Sequence, residues 1–131
     1  MGVVLKERGE FDEALESLNT AVKIYPAMTE GHINIGNIYR AKGELLMAIQ
    51  SYERALKIKP DQPEVFLNIG NIYKDQRDLK TAEENFRYVI KLDSNNTPAY
   101  NNLGIVLERM NDFDQAKENY KKAIAINQRN D

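Results

Sequence analysis

The sequence contains no cysteine, only one histidine and no long apolar run. Without cysteine the chain has no disulfide framework, no thiol nucleophile and no thiolate metal site. No apolar segment approaches the roughly 18 residues needed to span a bilayer, and no charged-then-apolar signal opens the chain. These absences exclude insertion into a membrane, and we expect a cytoplasmic protein.

A strong charge of either sign is also lacking, because the formal net charge is −2. General nucleic-acid binders usually carry a basic face, so we expect no nucleic-acid partner. Hydrophobic residues make up 42% of the chain and charged residues 29%, which is typical of a globular protein and not of a disordered one.

What the sequence does contain is an internal repeat. The six residues Asn34–Tyr39 return unchanged as Asn68–Tyr73, 34 residues later, and a looser copy begins at Asn102. Glycines at positions 2, 36, 70 and 104 keep the same register. Self-similarity at a fixed period indicates a repeat array. We therefore divide 1–131, as a single array, into a partial repeat 1–28 and complete repeats 29–62, 63–96 and 97–130.

Each repeat carries two segments with apolar or small residues at helical spacing, which predicts a pair of amphipathic helices. The first-helix sets are His32, Ile35, Gly36 and Tyr39; Phe66, Ile69, Gly70 and Tyr73; and Tyr100, Leu103, Gly104 and Leu107. The second-helix sets are Phe11, Ala14, Leu18 and Ala21; Leu45, Ala48, Tyr52 and Ala55; Leu79, Ala82, Phe86 and Val89; and Phe113, Ala116, Tyr120 and Ala123. Glycine on one helix and an aromatic ring on the other predict a close approach within each of the three complete pairs.

A short turn is predicted between the helices of every pair. The four turns are Arg8–Phe11, Lys42–Leu45, Gln76–Leu79 and Met110–Phe113. Gly9, Gly43 and Asn111 suit the left-handed residue that ends a helix. Arg77 does not, so its turn is predicted to be strained or closed differently.

The pattern resembles the tetratricopeptide repeat, with its period of 34, a small residue in the first helix, alanines in the second and proline at the junctions. The chain departs from that family at the early tryptophan, which is replaced by His32, Phe66 or Tyr100, and in lacking proline at the last two junctions. The resemblance implies an all-α fold, a right-handed α-solenoid of antiparallel helix pairs. It also implies a protein-interaction scaffold with a concave peptide groove.

No set of residues indicates catalysis. His32 occupies the aromatic packing position, and general-base chemistry needs convergent partners that the pattern does not supply. We expect no enzymatic activity, no cofactor and no metal.

The opposite face of the first helices is the predicted binding face. Stacked helices place same-register residues in rows, and an amide offers both a donor and an acceptor, as a peptide backbone does. The predicted site residues are Ile33, Asn34, Asn37, Arg40, Leu67, Asn68, Asn71, Lys74 and Asn102. The asparagines either hold an extended peptide or bridge neighbouring helices, and the sequence leaves both interpretations open.

Two family comparisons bear on the ligand. The row Asn34, Asn68 and Asn102 is similar to the asparagine ladder in the recognition arm of O-linked N-acetylglucosamine transferases, which holds substrate backbone. In members that grip the C-terminal carboxylate of chaperones, basic residues stand where this chain has Ile33, Pro98 and Asn102. The resemblance therefore implies no such clamp here.

Two further hypotheses remain. Ile124 and Ile126 are expected to face water at the end of the array, which favours self-association. The chain is also expected to be a piece of a longer array, and could serve as the substrate-recruiting arm of a larger enzyme such as a glycosyltransferase.

Overall fold

The computed structural model describes residues 2–129, with side chains from residue 9 onward. This part of the chain forms seven α-helices and no strand. The helices are α1 (Gly2–Ile24), α2 (Thr29–Ala41), α3 (Leu45–Ile58), α4 (Pro63–Asp75), α5 (Leu79–Leu92), α6 (Thr97–Arg109) and α7 (Phe113–Arg129). The predicted fold class, an all-α solenoid of helix pairs, is confirmed.

The helices belong to two compact units that divide after Pro60. Unit 1 contains α1 to α3, and α2 packs against both of its neighbours. Unit 2 contains α4 to α7, in which α4 pairs with α5, α6 pairs with α7, and α5 packs against α6.

The turns inside the three complete pairs close in the same way. Each has one residue in the left-handed region: Gly43 at φ 81°, Arg77 at φ 67° and Asn111 at φ 66°. The next amide donates to a carbonyl five residues back, as Glu44 does to Tyr39 at 2.8 Å. These hydrogen bonds form the Schellman motif that satisfies the free carbonyls at a helix end. The prediction for the Arg77 turn left two alternatives, strain or a different closure. The turn is strained, and it closes in the same way as the other two.

Glycine brings the two helices of a pair together at an aromatic ring. A Cβ atom built on Gly36 would lie 2.6 Å from Cε1 of Tyr52, and one on Gly70 would lie 2.7 Å from Cε1 of Phe86. Gly104 has the same relationship to Tyr120, at 2.6 Å. Real Cβ atoms do not approach so closely, so each of these positions requires glycine. The close approach predicted from the repeat is confirmed.

The predicted turn at Arg8–Phe11 is wrong, because α1 continues through Gly9 as one helix of 23 residues. Glycine permits a left-handed turn but does not impose one. A continuous helix keeps the backbone hydrogen bonds across Gly9 that a turn would break.

Two predictions on α7 also need correction. Phe113 was assigned to a packing set, yet it is 61% exposed. It is the first residue of α7, and no described element packs over it. Ile126 was expected to face water, but it is 5% exposed and packs with Tyr100 and Ala123. Ile124 is exposed as predicted.

Candidate functional site

In unit 1, α2 carries four of the predicted site residues. Asn34 and Asn37 are exposed, and Arg40 is half-buried. Ile33 is only 8% exposed. Its side chain therefore belongs to the core of unit 1 and offers little surface to a ligand.

Asn37 has a hydrogen-bond partner inside the protein. The hydroxyl of Tyr52, whose ring packs beside Gly36, donates to Oδ1 of Asn37 at 2.5 Å. The amide of Asn37 therefore links α2 to α3, which is the bridging role left open by the sequence. Among the asparagines of α2, Asn34 is the one for which the structure gives no such bridge.

In unit 2, the predicted residues of α4 and α6 come together at Lys74 and Asn102. The ammonium of Lys74 donates to Oδ1 of Asn102 at 3.1 Å, and both side chains are half-buried. Because an ammonium can only donate, Oδ1 is the acceptor, and the Nδ2 group of Asn102 remains to donate elsewhere. This hydrogen bond sets the orientation of an amide on the face of α4 and α6.

The other predicted residues of α4 differ from one another. Asn68 is half-buried, whereas Leu67 packs against the core cluster that contains Phe86 and Leu103. Oδ1 of Asn71 is buried and accepts no hydrogen bond. The structure thus leaves Asn68 and Lys74 partly accessible on α4, while Leu67 serves the core.

The aromatic position at the start of the first helices is structural. Nε2 of His32 lies 3.3 Å from the carbonyl of Pro26, and the hydroxyl of Tyr100 donates to the carbonyl of Ser94 at 2.9 Å. Each side chain reaches back six residues to the junction before its helix. His32 therefore contacts the junction before α2, and its packing role stays a prediction.

A cleft of about 590 Å³ in unit 2 was not predicted. It is lined by Asp75, Arg77, Leu79 and Arg109, at the ends of α4 and α6 and the start of α5. The one available signal was Arg77, an arginine at the turn position held elsewhere by Gly43 and Asn111. The sequence pattern indicates a role for Arg77 only in the turn.

Charges at the end of α6 also act on the half-buried side chain of Tyr120. The pKa of the Tyr120 phenol is raised, chiefly because burial disfavours the phenolate and also because of the nearby Glu108 carboxylate. The guanidinium of Arg109 acts in the opposite direction and lowers that pKa.

No group of three or more histidine, aspartate or glutamate side chains suited to a metal ion occurs in the described part of the chain. Between residues 2 and 129, no helix has the length and apolar character required to cross a membrane.

Several solved structures resemble this one. A crystal structure of MamA aligns with a TM-score of 0.81 and 25% identity, covering 96% of this chain and 74% of that chain. MamA from Desulfovibrio magneticus RS-1 aligns with a TM-score of 0.82 at 19% identity, covering 100% and 74%. PilF of Pseudomonas aeruginosa aligns with a TM-score of 0.82 at 24% identity, covering 97% of this chain and 58% of that one. The last two likenesses concern the fold alone.

The family matches extend over nearly the whole repeat array. The model described as TPR repeat matches residues 2–43 and 36–77, and models described as tetratricopeptide repeat match 63–96 and 97–130. A search of curated proteins returned no significant match. On these matches, the chain belongs to the tetratricopeptide repeat family.

Proposed function

We propose that this protein is a non-catalytic module that binds an extended peptide segment of a partner protein through asparagine amides. The amides that carry the proposal are those of Asn68 on α4 and Asn102 on α6, both in unit 2. In general terms, a tetratricopeptide repeat chain is a protein-interaction scaffold.

The observation that carries the proposal is the hydrogen bond from Lys74 to Asn102. It orients the Asn102 amide with its donor group available, at a partly accessible position. A ligand carbonyl can accept from that group without displacing Lys74. Ordering the amide before binding also reduces the entropy lost when a peptide is captured.

Recognition by amides explains how one surface can hold peptides of many different sequences. Each peptide unit offers one N–H and one C=O, and an asparagine can pair with either. One such hydrogen bond contributes about 1 kcal/mol net. Several in series are therefore needed for useful affinity, as in the glycosyltransferase arms that this array resembles. A role as the substrate-recruiting arm of a larger enzyme would use the same contacts, and is tested by whether the gene continues into a catalytic domain.

The test is peptide binding to the full chain. Short unstructured peptides are first selected from a displayed library on the wild-type protein. The affinity of one selected peptide is then measured calorimetrically for the variants Asn68→Ala/Asn102→Ala and Asn34→Ala/Asn68→Ala/Asn102→Ala. Loss of two hydrogen bonds should weaken binding about thirtyfold, and the triple variant should bind no more tightly than the double variant.

The matched control is Asn101→Ala. Asn101 is an exposed asparagine on α6, one residue before Asn102, and it lies outside the predicted row. Binding by this variant should equal that of the wild type, and circular dichroism should show unchanged helix in every variant. Equal affinity for the wild type and the triple variant would reject the asparagine site.

Self-association is the second candidate function. It is favoured by the exposed apolar side chains of α7, with Phe113 at 61% and Ile124 at 57% exposure. Sedimentation over a range of concentrations would reveal a dimer that Phe113→Ser/Ile124→Ser abolishes. A wild-type protein that stays monomeric at high concentration would reject this candidate.

A further inference from the structure

We infer that the outer side of α7 docks an amphipathic helix of a partner protein, and that this helix presents a carboxylate to Lys117. The surface, the α7 stripe, is formed by Phe113, Lys117, Tyr120 and Ile124. It shares no residue with the asparagine amides proposed above to bind a peptide. The inference therefore goes beyond that function and is independent of it.

The four residues of the α7 stripe lie on one side of the helix, because they are spaced three or four residues apart. Phe113 and Ile124 are 61% and 57% exposed. Lys117 is also exposed, and Tyr120 is half-buried. The other side of α7 carries its buried residues, which are Ala116, Asn119, Ala123 and Ile126. Three apolar or aromatic side chains thus reach the surface in one line along α7.

The equivalent stripe on α5 is covered by a helix. The side chains 34 residues earlier are Leu79, Glu83, Phe86 and Ile90. Phe86 is fully buried and the other three are half-buried. Ile90 packs with Tyr100 of α6, and Leu79 packs against the cluster that contains Leu103 of α6. A helix lying alongside is therefore what covers this stripe on α5, and α7 offers the same kind of surface.

The charged residue of the stripe differs between the two helices. On α5 the side chain of Glu83 is 13% exposed, and Arg87 and Lys80 of the same helix pair with it at 2.9 and 3.6 Å. On α7 the equivalent residue is Lys117. Within residues 9–129, Lys117 forms no ion pair and no side-chain hydrogen bond. Its ammonium is therefore available to a carboxylate from outside.

The acidic side chains of α7 do not remove this preference for a carboxylate. Asp114 and Glu118 keep their charges, but they lie about 100° and 140° around the helix from Phe113, off the stripe. Over its whole length α7 has four basic and two acidic side chains, which leaves a net charge of +2. Both the stripe and the helix as a whole thus favour an acidic partner.

Charge also distinguishes a partner helix from a second copy of this chain. Covering Lys117 with apolar surface costs free energy unless a carboxylate pairs with its ammonium. In an antiparallel pair of α7 helices, Phe113 would meet Ile124 of the other copy. The two Lys117 residues would then lie within about 5 Å of each other along the axis, where like charges repel. An acidic amphipathic helix satisfies both the apolar residues and the lysine.

The experiment titrates the full chain with two stapled helical peptides of about five turns each. Both carry leucines along one helix face, spaced as the residues of the α7 stripe are. The positions beside the leucines are glutamate in the acidic probe and lysine in the basic probe. Fluorescence anisotropy measures affinity, and NMR shifts locate the contact. We expect the acidic probe to bind α7 with a Kd on the order of 0.1 mM, about tenfold more tightly than the basic probe.

The variant Lys117→Glu tests the lysine by reversing its charge. It should weaken the acidic probe about tenfold and make the basic probe the tighter ligand. The matched control is Lys122→Glu, which makes the same charge change on the same helix. The Lys122 ammonium lies 5.9 Å from the centroid of the Tyr100 ring, on the side of α6. This control should therefore keep the preference for the acidic probe.

The variant Phe113→Ser/Ile124→Ser tests the apolar part of the stripe. Both side chains are exposed, so the fold should be kept, and circular dichroism checks this. Binding of both probes should weaken at least about tenfold, because the apolar contact area is lost. In contrast, Asn68→Ala/Asn102→Ala should leave both affinities unchanged. Failure of the α7 stripe is thereby distinguished from failure of the asparagine face.

Five results would overturn the inference. Equal affinity of the wild type for the two probes, an unchanged preference in Lys117→Glu, or NMR shifts confined to helices other than α7 would each reject the acidic helix. Concentration-dependent dimerisation that the acidic probe does not displace would assign the stripe to a second copy. Binding of phosphatidylserine vesicles through α7, with neither helical probe bound, would assign it to a membrane surface.

Discussion

The hydroxyl of Tyr52 donates a hydrogen bond of 2.5 Å to Oδ1 of Asn37, while the ring of the same side chain fills the space beside Gly36. One residue of α3 thus satisfies two requirements of α2, one apolar and one polar. In unit 2 the equivalent ring is Phe86, which lacks the hydroxyl, and the equivalent amide oxygen of Asn71 is buried without a partner.

This difference predicts that Phe86→Tyr stabilises the protein. The added hydroxyl would donate to Oδ1 of Asn71, as Tyr52 does to Asn37, and satisfying a buried acceptor should raise the free energy of unfolding by about 1 kcal/mol. The reciprocal change Tyr52→Phe should lower it by a similar amount. Urea unfolding followed by circular dichroism measures both. A less stable Phe86→Tyr would show that the hydroxyl does not fit.

Alanine should have opposite effects on stability at Gly70, which lies at a helix contact, and at Gly9, which does not. Gly70→Ala places a Cβ atom 2.7 Å from the fully buried ring of Phe86. Overpacking costs about 1–3 kcal/mol, which exceeds the gain of up to about 1 kcal/mol from alanine in a helix. We expect a net loss of about 1–2 kcal/mol in thermal or urea unfolding.

The matched control is Gly9→Ala. A Cβ atom on Gly9 has nothing within 4 Å, and the residue lies inside α1. Only the helix-propensity gain remains, so this variant should be more stable by up to about 1 kcal/mol. Destabilisation by Gly9→Ala would instead support a turn at that position.

The left-handed turns predict that Arg77→Gly is stabilising. Relief of the conformational penalty at φ 67° should raise the free energy of unfolding by about 1 kcal/mol, partly offset by the greater freedom of glycine in the unfolded chain. Gly43→Ala introduces the same penalty at φ 81° and should lower it by about 1 kcal/mol. Chemical denaturation of both variants checks the pair, and equal stability of Arg77→Gly and wild type would show that Arg77 bears no strain.

The raised pKa of Tyr120 predicts a loss of stability at alkaline pH. Burial, and then Glu108, hold the folded-state pKa above the unfolded value of about 10. The neutral phenol therefore contributes stability that is fully present below about pH 10 and is lost as the pH rises through the folded pKa. Tyr120→Phe removes this contribution. The stability of wild type relative to Tyr120→Phe should fall as the pH rises above about 10 in urea unfolding, and a constant difference would contradict the prediction.

Much of the fold was predictable because it is encoded locally and then repeated. The spacing of Gly36, Gly70 and Gly104 against Tyr52, Phe86 and Tyr120 predicted the contact that the structure shows. A single glycine in a helical pattern would have been ambiguous. The glycine recurs at the same position of each repeat, and an aromatic ring follows each time at the same sequence separation. This recurrence made the packing explanation specific.

The candidate site was less predictable, because a row of identical side chains need not have identical neighbours. Asn37 and Asn71 occupy the same register, yet Asn37 accepts a hydrogen bond from Tyr52 whereas Oδ1 of Asn71 is buried without a partner. Ile33 and Leu67 lay on the predicted face but pack inward. Helical periodicity gives the direction of a side chain within about one residue, which is too coarse to separate a groove wall from the edge of the core.

By itself the sequence determined the repeat period, the helix pairs and the glycine–ring contacts, since all of these depend on short spacings that recur. Tertiary structure decided that α1 runs through Gly9, that Lys74 orients Asn102, and that Arg77 and Arg109 line one cleft. Each of those outcomes depends on which helix lies beside which residue. Contacts between side chains distant in sequence arise only when the packed helices bring them together.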